Sequence, residues 1–192
     1  MVCPRNRIFL AVLVFSLVAP LTMLAQTPKA PAPAQTTPAI SAEETTLTPK
    51  TIIYIKGAGI WDTGFETLLD AFKTLYGVIE KQGLKADGPA MTIITEFDDI
   101  NFRFQAAVPI TEEPANFPRG DISIGKSPEG KAYKFVHRGA YNKTMDSLFG
   151  AIADYFEERK LEARDFYVEE FTTDVLNTPP DKLVVHVFMP VK

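Results

Sequence analysis

Phe72-Lys73-Thr74-Leu75-Tyr76-Gly77-Val78-Ile79-Glu80-Lys81-Gln82-Gly83-Leu84 reads as the end of an amphipathic helix, and its pattern returns 77 positions later. There the chain runs Phe149-Gly150-Ala151-Ile152-Ala153-Asp154-Tyr155-Phe156-Glu157-Glu158-Arg159-Lys160-Leu161. Phe72, Leu75, Ile79, Glu80 and Leu84 fall opposite Phe149, Ile152, Phe156, Glu157 and Leu161. Apolar residues three and four apart share one helix face, so the same face is written twice. The duplication extends outward. Residues 51–110 and 131–191 each read as a strand, a helix and two strands. They close on Val108-Pro109-Ile110 and Met189-Pro190-Val191. The final strands need an offset of 81, because the second hairpin loop is longer. Two similar halves in one domain create a seam, and seams between units are where ligand pockets form.

Within the first half, Thr51-Ile52-Ile53-Tyr54-Ile55 is strand-like and ends at Lys56-Gly57-Ala58-Gly59. Thr63-x-x-Glu66 has the spacing of a capping box, in which each side chain satisfies a free backbone donor. Phe65, Leu68, Leu69, Phe72, Leu75, Tyr76 and Ile79 form the buried stripe of a helix that should stop near Gly83, where a left-handed residue costs least. Residues 91–97 and 102–109 form a hairpin around Asp98-Asp99-Ile100-Asn101. The second half repeats the order: a strand over 131–137, a helix capped by Asn142, and a hairpin over 166–173 and 183–191. Between the halves, 111–130 is turn-rich and has room for one short strand at Ile122-Ser123-Ile124. The expected class is α+β: two pseudo-symmetric β-α-β-β units forming an antiparallel sheet or open barrel with two helices on one face.

The 192 residues suit one domain with appendages, and the 46% hydrophobic and 23% charged content is ordinary for a globular chain. Arg5 and Arg7 precede an almost wholly apolar run from Ile8 to Leu24, followed by Leu24-Ala25-Gln26. Residues 1–25 therefore read as a secretory signal peptide, which places the mature protein in the periplasm or outside the cell; a retained anchor is the competing reading. Cys3, the single cysteine, lies inside this leader. A cleaved product would hold no disulfide, thiol nucleophile or cysteine metal site. Residues 26–50, rich in Thr, Pro, Ala and Gln, read as a disordered linker, leaving 51–192 as the domain. The net charge of −4 without a Lys/Arg stripe argues against a nucleic-acid partner.

Glu169 is the leading site candidate. Strand alternation puts Glu169, Phe171 and Thr173 on one face and Glu170 and Thr172 on the other, which gives one of two adjacent acids a place beside aromatic surface. A carboxylate there either pairs with a cation or becomes harder to ionise. The plain alternative is an exposed edge strand with both acids solvated. Trp61 and Tyr141 sit at the two helix starts, where the seam opens, and aromatic walls suit a flat organic ligand or cation. A Phe-rich core explains most of the 14 phenylalanines without any ligand. His137 and His186 lack partners at metal-ligand spacing, so neither a zinc site nor any other cofactor is indicated, and nothing nearby marks a haem site. No Gly-x-Ser-x-Gly elbow presents a nucleophile, and Gly57-Ala58-Gly59 lacks the rest of a dinucleotide signature.

Pro128-Glu129-Gly130-Lys131-Ala132-Tyr133-Lys134-Phe135-Val136-His137-Arg138-Gly139-Ala140-Tyr141 resembles the start of the second half of gyrase-inhibitor-like small-molecule-binding domains. These also serve as effector-binding domains of AraC-type and multidrug-sensing regulators. The likeness covers about 51–191 and includes the closing Val187-Phe188-Met189-Pro190-Val191. It implies a pseudo-twofold pair of β-α-β-β units around a cleft, an arrangement shared with SOUL haem-binding proteins. Glu169 matches the family's ligand-contacting glutamate, Tyr141 the aromatic at the helix start, and Phe188 the aromatic before the closing proline. Val175 departs from the proline often found after Asp174, and a leader stands where regulators carry a DNA-binding region. The resulting expectation is an exported binder of a small, partly apolar, possibly cationic molecule, not stably inserted in a membrane once the leader is cleaved. Glu169, Tyr141, Trp61, Phe171 and Phe188 would form its site. A hydrolase using Glu169, or an envelope interaction module, are the alternatives.

Overall fold

A computed structural model describes residues 40–114, 117 and 120–192, with only the backbone described at Lys143 and Thr144. The leader and the first part of the linker lie outside these residues. Strands β1 (Glu43–Leu47), β2 (Thr51–Ile60), β3 (Ala90–Phe97), β4 (Asn101–Pro109), β5 (Ile122–Lys126), β6 (Gly130–Arg138), β7 (Tyr167–Phe171) and β8 (Val184–Pro190) accompany helices α1 (Gly64–Gln82) and α2 (Tyr141–Arg159). All strand pairings are antiparallel, in one open sheet of order β1-β6-β8-β7-β3-β4-β2-β5. Among the described residues no helix is long and apolar enough to cross a membrane.

The duplication is physical down to single hydrogen bonds. Both helices have 19 residues and start 77 positions apart. Each ends on a left-handed residue, Gly83 (φ 66°) and Lys160 (φ 54°). The next N–H groups, Leu84 and Leu161, return to Ile79 O and Phe156 O at 2.9 and 3.0 Å. These contacts satisfy carbonyls that a helix end leaves free. Single bridges then tie Ala86 to Ile110 and Ala163 to Val191.

Strands β3 and β7 pair at the centre, so the pseudo-twofold relation runs between them. The outermost strands are exchanged. β1 precedes the first unit yet pairs with β6, while β5 precedes the second unit and pairs with β2. The two connections meet where Ser127 N–H donates to Lys50 O and Lys50 N–H donates to Ser127 Oγ, both at 2.9 Å.

Three expectations are corrected. The linker does not reach residue 50, because Glu43–Leu47 completes the sheet edge beside β6: Thr45 and Thr46 suit a strand, and β6 offers free backbone groups there. Thr63 precedes α1 but makes no side-chain cap; its carbonyl instead accepts the Thr67 hydroxyl at 2.9 Å. Asn142 does not cap α2, which begins one residue earlier at Tyr141 with extended Ala140 before it. In both cases a preceding turn, and not a polar side chain, sets the start.

The larger core lies between sheet and helices and includes Phe65, Leu68, Phe72, Leu75, Ile79, Phe104, Phe135, Ile152, Phe156 and Phe171. On the opposite face Ile52, Met91, Ile93, Ala107, Ala132, Val168 and Phe188 form a smaller cluster.

Candidate functional site

Along β7, alternate side chains turn toward the helices, and Tyr167, Glu169 and Phe171 take that face. Glu169 is fully buried, at 0% exposure. The Tyr141 hydroxyl lies 2.9 and 2.8 Å from its two carboxylate oxygens. Tyr141 is the first residue of α2 and follows Gly139, whose φ of 108° a side chain rarely adopts. That turn aims the ring inward, against Phe65 (centroids 5.1 Å apart) and Phe171 (6.1 Å). Phe171 in turn meets Phe72 edge-on at 5.5 Å.

Removal from water dominates the electrostatics. It pushes the Glu169 carboxyl up to about 8, with the Tyr141 hydrogen bond acting the other way and less strongly. Tyr141 and Tyr167 are both raised, by burial first and by the neighbouring acid second. The His137 ring lies 6.4 Å from Tyr141, edge-on, and burial lowers its pKa. Burial thus favours the neutral carboxylic acid beneath the Tyr141 phenol.

Outside Tyr141 the seam opens into a cavity of about 620 Å³. Trp61, Phe97, Phe149 and Tyr167 provide aromatic lining, with Met145 and Met189 beside them. Among the described residues its charged lining is Asp62, Asp98, Asp99 and Asp146. Trp61 is held in place by stacking on Phe102 at 4.4 Å and by donating its indole N–H to Asp98 O at 2.8 Å. Asp98 accepts the Ile100 and Asn101 N–H groups at 2.8 and 2.7 Å, which lowers its pKa and shapes the β3–β4 turn. Hollows of similar volume, about 510 and 540 Å³, occur on the helix-free face around Lys126, Ser127, Pro128, Arg164 and Phe166. They contain no buried ionisable group, so chemistry favours the seam. Among the described residues no group of three or more His, Cys, Asp or Glu is placed to hold a metal.

Of the five residues singled out from sequence, Trp61 and Tyr141 line the cavity. Glu169 and Phe171 lie directly behind Tyr141. Phe188 is a correction. It pairs with Val168, and Val187 pairs with Glu169, so a two-residue period puts Phe188 on the helix-free face. Sequence reasoning missed Met145 and Phe149, four and eight positions after Tyr141 on one helical face. It also missed Tyr167, two before Glu169, and the acidic rim. The first three were available from periodicity; the rim gathers three separate loops and helix starts.

The model of the family described as GyrI-like small molecule binding domain matches residues 42–192. No curated protein matches the chain. The fold resembles the EcmrR C-terminal domain (TM-score 0.63, 13% identity, covering 80% of this chain and 98% of that one). Against EcmrR in a DNA complex the TM-score is 0.67 at 13% identity, with 80% of this chain covered but only 58% of the EcmrR chain. SAV2435 bound to tetraphenylphosphonium matches at TM-score 0.55 and 16% identity, over 80% and 94% of the two chains. A hydrolase from Listeria innocua matches at 0.53 and 13%, over 81% and 93%.

Proposed function

Because the chain belongs to the GyrI-like small-molecule-binding domain family, we propose that it captures a small, partly apolar organic cation in the cavity at the start of α2. The observation that carries this reading is Glu169, fully buried behind a cavity whose described charged residues are Asp62, Asp98, Asp99 and Asp146. A buried acid whose hydrogen-bond partner among the described residues is a single phenol is a group that a cation can complete. The ligand reaches it when Tyr141 swings aside about the turn at Gly139. The cation then replaces the phenol at the carboxylate, the proton leaves, and apolar groups of the ligand stack against Trp61, Phe97 and Phe149. SAV2435, of like fold, is bound to tetraphenylphosphonium, which makes that ion a suitable probe.

Binding and hydrolysis divide on one readout: a bound probe recovered chemically unchanged supports binding, and an altered one supports hydrolysis with Glu169 as general acid or base. We also place the domain outside the cytoplasm, on the strength of the charged-then-apolar stretch 1–25. Recovery of a mature chain starting near Gln26 from the periplasm or medium is the expected result, and a full-length chain in the cytosol would refute it.

The site assignment is tested by titrating tetraphenylphosphonium into wild-type protein and Glu169→Gln, following Trp61 fluorescence. The variant keeps the shape and loses the charge, so affinity should drop at least about tenfold with the fold intact. Equal affinity in the two proteins would refute the role of Glu169.

A further inference from the structure

Directly across the central strand pair from Glu169 stands Thr92. The two are also duplication partners, 77 positions apart, so the positions nearest the pseudo-twofold relation hold one acid and one hydroxyl. Thr92 is on the helix side, since its neighbours Met91 and Ile93 belong to the opposite cluster and Ala90 and Ile94 to the helix-side core. It is 0% exposed, and Thr92 Oγ1 is the one buried side-chain oxygen or nitrogen among the described residues that lacks a hydrogen-bond partner. Such atoms are rare because an unmet hydroxyl in the core is destabilising. Directly opposed residues on antiparallel strands have β-carbons about 5 Å apart, so a single ligand group can touch both side chains. The Tyr141 hydroxyl has one proton, which it gives to Glu169, and Thr92 receives none.

We propose that Thr92 and Glu169 together form a paired acceptor for a cation carrying N–H donors, an amidinium or protonated amine, with Thr92 as the residue that discriminates it from quaternary cations. This rests on the reading that the ligand's cation lodges at Glu169. A phosphonium or quaternary ammonium neutralises the carboxylate but offers no proton to Thr92. An amidinium presents several N–H groups in one plane, enough for both oxygens.

The test compares 4-aminobenzamidine with tetraphenylphosphonium on wild type, Thr92→Val, Thr92→Ser, Thr92→Ala and Glu169→Gln, above the Glu169 pKa of about 8. Thr92→Val should weaken 4-aminobenzamidine about tenfold, leave tetraphenylphosphonium within about twofold and not lower the melting temperature. Thr92→Ser should retain the wild-type preference. Thr92→Ala gives the same comparison should the valine variant misfold. Equal effects on both probes, or no effect on either, while Glu169→Gln still loses binding, would overturn the inference and leave the binding site standing. So would a wild type that binds the phosphonium and refuses the amidine. If Glu169→Gln binds both probes as wild type does, the underlying site assignment falls instead.

Discussion

Glu169 links stability to pH through its burial. Its folded pKa of about 8 lies above the ordinary glutamate value of 4.5, so between these values the folded state binds more protons than the unfolded one. Stability therefore falls as pH rises through that window and is level above it, a change on the order of a few kcal/mol. Urea midpoints near pH 5 and pH 8 should show this slope in wild type and lose most of it in Glu169→Gln. Cation binding has the opposite sign. Each captured cation expels a proton, so affinity for tetraphenylphosphonium should climb up to about tenfold per pH unit and flatten near pH 8. Calorimetry in buffers of different ionisation enthalpy reads the released proton directly. Tyr141→Phe removes the one contact that lowers the acid's pKa and keeps the ring stack, so the flattening should move to higher pH. The presence of one awkward acid was legible in Val168-Glu169-Glu170-Phe171, because adjacent strand residues cannot share a face. That Tyr141 covers it was not, since the two are 28 residues apart and meet only across the packed helix.

Helices were the most legible elements, since a stripe of apolar residues every three or four positions has few other uses. Their starts were not, because both begin from turns without side-chain caps. Their ends offer a paired test. Gly83 and Lys160 occupy equivalent left-handed positions, but only one is glycine. Gly83→Ala should cost roughly 1 kcal/mol from backbone strain alone, since nothing lies within 4 Å of the added carbon. Lys160→Gly should stabilise by roughly 0.5–1 kcal/mol, read as a shift in denaturation midpoint. The exchanged edge strands supply another. Ser127→Ala leaves the Lys50 N–H without its acceptor and should cost about 1–2 kcal/mol, measurable in the same way. The strand at Glu43–Leu47 escaped notice because a five-residue polar edge strand looks like the linker beside it, and its partner lies nearly ninety residues away.

At the scale of the molecule, among the described residues, acids line the seam, while the hollows on the helix-free face mix Lys126, Arg164 and Lys192 with Glu129 and Asp165. Changing Asp62, Asp99 and Asp146 together to asparagine, and sparing Asp98 for its turn, should weaken tetraphenylphosphonium binding about threefold at low ionic strength. In high salt the difference should vanish, because exposed charges are screened there. Unchanged salt dependence would assign the rim no part in capture. No single segment announces this rim, since Asp62, Asp98–Asp99 and Asp146 come from both halves of the chain. What the sequence determined alone was local and periodic: two helices, alternating strands, a duplication, and an acid on an aromatic strand. Those features depend on neighbours within a few residues, where propensity and period suffice. Only the tertiary structure decided that the edge strands are exchanged, that Phe188 faces away, that Tyr141 seals Glu169 and that Thr92 stands opposite with no hydrogen-bond partner among the described residues. Each depends on strand order and register, which are settled by burying both halves in one common core and not by any stretch of chain on its own.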